Sequence, residues 1–268
     1  MDIKLIAFDI DGTLINSKGE VLEETRGLIK DLREKGYRVV LCTGRPFNGY
    51  WWIREGLDLM GEDDISINST GAHIRENATG RDIAKKVLSK ADIEKIASFK
   101  DDDRVNFAIW TRDIIYTNDP VNDGFLRDQY LLDMPRLKYE SIDDIPQDLT
   151  RACFTADADV LDEFEKRHRE ELEKDYMVMR NAKNIMEILN KKAGKLEAMT
   201  YLVDYLSIDL DNVIYFGDGA NDVKTLKAVG VGVAMGNGRE ATKEAADQVI
   251  GTNDEPSIAD FLRDYLDV

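Results

Sequence analysis

The apolar run Leu5-Ile6-Ala7-Phe8 stops at Asp9-Ile10-Asp11-Gly12-Thr13, and this junction constrains the fold more than any other stretch. A short apolar run bounded by acids and a glycine reads as a buried strand, because neither residue type continues a core segment. Two carboxylates therefore stand at a strand's C-terminal tip. If the backbone stays extended through Asp11, the two-residue period puts Asp9 and Asp11 on one face and returns Ile10 to the interior. Ligands of open α/β sheets collect at the carboxyl ends of strands, which makes the pair a candidate catalytic or metal site. Two plainer readings compete. Asp and Gly alone make turns. Asp9, Asp11 and Glu20 also fall at the first, third and twelfth positions of an EF-hand spacing. That reading fails at Leu14, where a glycine is needed, and a strand-like run precedes the loop instead of a helix.

Similar junctions recur along the chain. Residues 22–35 carry Leu22, Leu28, Ile29 and Leu32 among charges, the pattern of an amphipathic helix, and Gly36 follows as a stop. Residues 38–42 predict a second buried strand, closed by Thr43-Gly44-Arg45-Pro46, with Pro46 placed to begin a helix. Residues 65–69 predict a third, ending at Thr70-Gly71-Ala72. Strand-helix-strand units of this kind predict a parallel sheet. The texture changes after residue 82. A helix over 89–99, strands over 105–110, 114–117 and 151–156, a charged helix over 161–172 and strands over 176–179 and 185–189 predict an inserted α+β module at 83–188 with its own antiparallel sheet. The first pattern then resumes. A helix over 196–206 precedes a strand over 212–216 that stops at Gly217-Asp218-Gly219-Ala220-Asn221-Asp222. Short strands over 231–235 and 248–250, a charged helix over 239–246 and a last helix over 257–266 complete the chain. The predicted fold is α/β, a doubly wound, mainly parallel sheet built from residues 1–82 and 189–268 around the insertion.

With 36 basic against 53 acidic residues, the chain carries a formal charge of -17 and repels nucleic acid and anionic lipid over most of its surface. A phosphate-bearing substrate then needs a cation. Cys42 and Cys153 have neither C-x-x-C spacing nor a histidine partner and read as buried thiols of a reducing compartment. Asp9 interrupts any signal-like stretch and no apolar run approaches a membrane span. The expectation is a cytoplasmic protein with no nucleic-acid or membrane partner. Oligomeric state leaves no mark in the sequence.

Four strand-end features now align in order: DIDGT from Asp9, Thr43 with Gly44, Lys195 at a helix start, and GDGAND from Gly217. Together they resemble the four motifs of the haloacid dehalogenase-like (HAD) hydrolase superfamily. The insertion between the second and third resembles the type-IIB cap of the Cof-like phosphatases. LCTGRP, MEILNKKAGK and GVGVAMGN extend the likeness over nearly the whole chain, and the nearest subgroup is similar to the sugar-phosphate phosphatases. Alone, Lys195 beside Lys191 and Lys192 is a solvated helix start and GDGAND a turn; their co-occurrence decides otherwise.

The resemblance implies a Mg²⁺-dependent phosphomonoesterase that acts on a small phosphorylated metabolite, foremost a sugar phosphate, through an aspartyl-phosphate. Asp9 and Asp218 suit Mg²⁺ as hard oxygen ligands, and the backbone carbonyl of Asp11 would supply a third. Asp9 would attack phosphorus, while Asp11 protonates the departing alcohol and later activates water. The Thr43 hydroxyl and the amides of Gly44 and Ile10 would hold phosphoryl oxygens, with Lys195 as the compact positive charge. Asn221 is a phosphoryl or substrate contact, and Asp222 orients metal-bound water or Lys195. Two alternatives stay open. A phosphomutase would yield an isomeric sugar phosphate without free phosphate, and a phosphoacceptor regulatory domain would hold a stable aspartyl-phosphate.

Two positions depart from the pattern. Thr70 stands where an Asn-Gly-Ala is usual, and Leu196 follows Lys195 where a glycine is common. Arg45 either meets substrate or caps its own turn. His73, among polar loop residues, and His168, on a charged helix, are expected to be structural. Trp51, Trp52 and Trp110 are expected to pack.

Overall fold

β1 (Leu5–Phe8) is buried at every residue, as a strand covered on both faces must be. It is followed by α1 (Glu23–Glu34), β2 (Arg38–Cys42), α2 (Trp51–Gly56), β3 (Ile65–Asn68), β4 (His73–Glu76) and β5 (Asp82–Lys85). Then come α3 (Lys90–Ala97), β6 (Asn106–Trp110), β7 (Ile115–Tyr116), β8 (Arg136–Leu137), β9 (Arg151–Thr155), α4 (Ala158–Asp175), β10 (Tyr176–Ala182) and β11 (Ile185–Asn190). The chain continues with α5 (Lys195–Tyr205), β12 (Val213–Gly217), α6 (Val223–Ala228), β13 (Val231–Ala234), α7 (Glu240–Lys243), β14 (Gln248–Val249) and α8 (Ser257–Leu266). The structure is a computed structural model that describes residues 2–120, 134–145 and 148–268. It divides into two units, one of Met1–Gly44, Trp51–Ala84 and Gly194–Val268, the other of Arg45–Tyr50 and Lys85–Ala193.

The first unit holds an eight-stranded sheet in the order β14-β13-β12-β1-β2-β3-β4-β5. β14 through β3 run parallel, and β4 turns back antiparallel on β3. One face packs Leu5, Ala7, Val40 and Tyr215 against Ala198, Met199 and Leu202 of α5. On the other, Phe8 stacks on Phe216 with centroids 5.0 Å apart, and Phe261 of α8 meets Phe216 edge-on. Apolar positions on both faces are what the near-continuous apolar runs of the sequence demand. β1 lies between β2 and β12 in register, Phe8 opposite both Leu41 and Phe216. The residues that leave these three strands at their carboxyl ends therefore emerge side by side, at the kind of position where open α/β sheets bind ligands.

The second unit has a six-stranded sheet, β10-β11-β9-β6-β7-β8. Phe107, Ile109, Phe154 and Ile188 pack on one face with Ile93 and Ile96 of α3 and Leu161, Phe164 and Leu172 of α4. α3 starts at Ser89, whose side chain accepts from the Asp92 amide while Asp92 accepts in return, a reciprocal cap. On the opposite face Arg151 pairs with Glu187, both buried, and its guanidinium lies 5.1 Å from the Trp110 ring centroid.

Several expectations need correction. The second unit's inserted stretch runs from Lys85 to Ala193, not 83–188, because β5 still joins the first sheet and β11 continues to Asn190. Its sheet is not wholly antiparallel, since β7 and β8 pair in parallel. His73 is not in a loop: it sits fully buried on β4 with Nδ1 3.0 Å from Asp82. Trp51 and Trp52 do not pack inside but stand 51% and 40% exposed, edge to face with each other. The helix over 239–246 shrinks to the single turn of α7, and no helix begins at Pro46; a 3₁₀ turn over Phe47–Tyr50 precedes α2. Among the described residues no helix is long and apolar enough to cross a membrane.

His73, Arg75 and Asp82 make a hydrogen-bonded knot at the β5 edge of the first unit's sheet. Burial works against the Asp82 carboxylate, but hydrogen bonds from His73 and Arg75 outweigh it and hold its pKa far below the usual range. A depressed folded pKa stabilises above the unfolded value of about 3.9 and loses that contribution as pH falls towards the folded one. Asp82→Asn should therefore lower the urea midpoint clearly at pH 7. The gap to wild type should narrow below about pH 4. Equal gaps at pH 7 and pH 3 would show that the carboxylate charge is not what matters.

Candidate active site

β1 ends at Phe8, not Asp11. The Asp9 amide still donates to Phe216 O on β12, but Ile10 enters a turn, so the acid pair does not share one face of an extended strand. Asp9 is buried, Ile10 fully so, and Asp11 is exposed. An extended strand would have put the two acids on one face; the turn parts them, one facing protein and the other solvent. It closes through Thr13 and Ile15 amides donating to Ile10 O.

Lys195, first residue of α5, is the hub beneath Asp9. Its side chain is fully buried, with Nζ 2.8 Å from Asp9 Oδ1 and 2.7 Å from Asp222 Oδ1. Burial would favour the neutral amine, but the carboxylates of Asp222 and Asp9 reverse this and hold its pKa above the ordinary value. The lysine is a cation at any working pH. Asp222 is saturated by its neighbours. One oxygen accepts from Lys195 and the Tyr215 hydroxyl, the other from the amides of Gly219 at 2.9 Å and Asp218 at 3.2 Å. It ties the lysine to the turn after β12.

Asp218 leaves β12 beside Asp9. Its Oδ1 accepts from the Thr13 hydroxyl at 2.9 Å. A Cβ placed on Gly12, whose φ is +76°, would lie 2.5 Å from Asp218 Oδ2. Glycine at position 12 is thus needed both for its left-handed backbone and for the room it leaves the carboxylate. Carboxylate oxygens of Asp9, Asp218 and Asp222 lie within 4.8 Å of one another. Burial first, then Asp222 and Asp218, push the Asp9 pKa well up against the pull of Lys195; burial and Asp222 push Asp218 up to about 6. Three acids facing one lysine leave an excess of negative charge that calls for a cation. With Asp222 engaged, Asp9 and Asp218 are the carboxylates that fit one, and hard oxygens suit Mg²⁺. Asp222 belongs to the same acidic cluster, with its oxygens already engaged by Lys195, Tyr215 and two amides.

Thr43 is buried at the tip of β2, its amide donating to Ile67 O, and Gly44 follows half-buried. Asn221 sits half-buried on the turn between Asp218 and Asp222. Asp9, Asp11, Thr43, Gly44, Lys195, Asp218, Asn221 and Asp222 all belong to the first unit. Arg45 belongs to the second, where it is buried and donates to Gly49 O, a bond across its own turn. The sequence reading did not single out Tyr215, inside an apolar strand, whose hydroxyl burial and Asp222 keep protonated. A tyrosine two residues before a glycine-acid tip was the available signal. Cys42 lies in the same buried layer with its thiol pushed up to about 12 by burial, too basic to act as a nucleophile.

The profile of the haloacid dehalogenase-like hydrolases matches residues 6–262. A 5-amino-6-(5-phospho-D-ribitylamino)uracil phosphatase, YcsE of Bacillus subtilis (strain 168), is 29% identical over 267 residues, covering 99% of this chain and 97% of its own length. Among solved structures, a haloacid dehalogenase-like hydrolase from Bacteroides thetaiotaomicron superposes with a TM-score of 0.88 at 26% identity, covering 98% of this chain and 99% of its own. The HAD subclass IIB sugar phosphatase BT4131 shares the fold, with a TM-score of 0.80 at 21% identity over 99% of this chain and 100% of its own. The chain belongs to the haloacid dehalogenase-like hydrolases and, among them, to the HAD-like phosphatases. The family drawn from the four motifs and the α/β fold are both borne out.

Proposed function

We propose that this phosphatase is a Mg²⁺-dependent phosphomonoester hydrolase that works through an aspartyl-phosphate on Asp9, with a small phosphorylated metabolite, foremost a sugar phosphate, as substrate. The observation that carries the reading is Asp9 itself, a buried carboxylate held by Lys195 on one oxygen beside a second carboxylate, Asp218. Asp9, Asp218 and the Asp11 carbonyl would hold magnesium, which would supply the positive charge that lets an anionic nucleophile approach an anionic phosphoryl group.

The chain's own residues do the rest. Lys195 holds one oxygen of Asp9 and leaves the other to form the new bond to phosphorus and displace the alcohol, which takes its proton from Asp11. The exposure of Asp11 suits a group that must exchange protons with solvent and substrate. Water then attacks the phosphoryl group, Asp11 accepts its proton, phosphate departs and Asp9 is regenerated. The Thr43 hydroxyl, the amides of Gly44 and Ile10, and Asn221 hold phosphoryl oxygens through both steps. A relative whose name specifies a 5-phospho-D-ribitylamino compound supports a polyhydroxylated leaving group.

The test is phosphate release from a panel of sugar phosphates, phosphorylated sugar alcohols, nucleotides and phosphoserine, with Mg²⁺ and then with excess chelator. Turnover of the polyhydroxylated members that vanishes with chelator and returns with Mg²⁺ is expected. Equal rates with and without the metal, or isomerisation without free phosphate, would overturn the assignment.

A further inference from the structure

Directly behind β3, three consecutive residues, Ser69, Thr70 and Gly71, have φ of 50°, 56° and 85°. Left-handed backbone is uncommon for any residue but glycine, and for a β-branched residue such as Thr70 it is an outlier. The turn is buried, Ser69 at 5% and Thr70 at 1% exposure. Its conformation gains little from its own side chains, since Thr70 Oγ1 is buried with no hydrogen-bond partner among the described residues. Strained backbone of this kind persists only where the surroundings enforce it, and it gathers at functional sites.

The surroundings here are two parts of the active site. On one side the Thr70 amide donates to Thr43 O at 3.0 Å, tying the turn to the tip that carries Thr43 and Gly44. On the other, a Cβ added to Gly71 would stand 2.1 Å from Gly194 O and 2.8 Å from Gly194 N, so backbone rests on backbone with no side chain between. Gly194 has φ 147° and ψ 146° and immediately precedes Lys195; its carbonyl accepts from the Ala198 amide at 2.9 Å and so opens α5. The left-handed turn thus abuts the peptide from which the buried lysine departs. Neither contact leaves slack: one is a main-chain hydrogen bond, the other a close approach that only glycine permits.

We propose that Ser69-Thr70-Gly71 is a positioning element that sets Lys195 against Asp9 and keeps the Thr43-Gly44 tip in register with it. The inference rests on the catalytic part given to Lys195 above. Its strain is the consequence of bridging two tips at fixed spacing, and Thr70, which departs from the asparagine usual in similar phosphatases, is tolerated because the bridge and not its side chain sets the conformation. Catalytic groups displaced by about 1 Å lose on the order of 10²-fold in rate.

The experiment uses the full chain with Mg²⁺ and p-nitrophenyl phosphate, and in parallel follows amine labelling of each lysine by mass spectrometry. In wild type, Lys195 should label at least about tenfold more slowly than exposed Lys192, as a buried amine that reacts only on local opening. Gly71→Ala should melt cooperatively, lower kcat about 10²-fold, leave the Mg²⁺ concentration for half-maximal rate within about twofold, and bring Lys195 labelling close to that of Lys192. General loosening would instead move the metal requirement along with kcat. Thr70→Asn, whose residue type accepts left-handed backbone, should raise the Tm, keep kcat within about twofold and keep Lys195 protected. A folded Gly71→Ala protein with wild-type kcat and a protected Lys195 would overturn the proposal. So would a folded Thr70→Asn protein with at least about a tenfold loss of kcat, which serves as the test should Gly71→Ala not fold. If wild type hydrolyses no phosphomonoester, the phosphatase reading fails on its own, and the labelling still decides whether the turn places the lysine.

Discussion

Asp9→Asn should abolish turnover while leaving the fold intact. The amide keeps the size of the carboxylate, and its oxygen can still accept from Lys195 in place of Asp9 Oδ1, now 2.8 Å away. What it loses is the charge and the second nucleophilic oxygen. Burial, Asp222 and Asp218 already push the Asp9 pKa upward, so the ionised acid is held at some cost to the folded protein without a bound cation. A neutral amide relieves that cost. The Tm without metal should therefore equal or exceed that of wild type, while phosphate release falls by at least about 10³-fold, as for loss of a covalent nucleophile. Rate and stability moving in opposite directions is the signature to look for in paired phosphate-release and thermal-melt measurements. A residual rate within tenfold of wild type would remove Asp9 from the nucleophile's place, whatever the Tm.

The architecture was legible in the sequence wherever burial on both faces left a continuous apolar run. β1, β2 and β12 are of this kind, and each gives way to a polar residue: Asp9, Thr43, and Asp218 after Gly217. Some of the outer strands were not legible. β4 reads His-Ile-Arg-Glu, a polar string by composition, yet His73 and Arg75 are buried because they bond to Asp82 on the neighbouring strand, a pairing that no local pattern encodes. β8 is two residues long, too short to show any period, whereas the equally short β14 was expected as the strand over 248–250. That Asp9, Lys195, Asp218 and Asp222 come together was legible; the conformations were not. The spacing of Asp9 and Asp11 does not reveal the turn at Ile10 that buries one acid and exposes the other. Likewise Gly71 and Gly194 lie far apart in sequence, and their close approach is a tertiary fact. Thr70 was noticed only as an unusual residue type, not as the middle of a left-handed turn.

Lys195→Met should be the most destabilising single change in the site. Its ammonium is fully buried and is the cation shared by Asp9 and Asp222. Removing one partner of a buried ion pair costs about 3–5 kcal/mol, because the charge left behind has lost both water and its counterion. Here two carboxylates would be left, with Asp218 near by to repel them. They are not equally able to adapt. Asp9 can take up a proton, and its pKa already leans that way. Asp222 still accepts from the Tyr215 hydroxyl and the amides of Asp218 and Gly219, contacts that hold it in place. The double variant Lys195→Met/Asp222→Asn separates the two contributions. Removing the Asp222 charge along with the lysine should recover about 0.5–3 kcal/mol relative to the sum of the single changes, as for groups in direct contact. It should recover no activity, because Asp9 still lacks the cation that orients it. Urea denaturation of the four proteins gives the stability cycle, and phosphate release from the same samples gives the rates. Additive stabilities would mean that Lys195 and Asp222 are not coupled. Recovery of rate with stability would mean that the lysine's part in this site is to hold the fold, and that the charge beside Asp9 has no share in the chemistry.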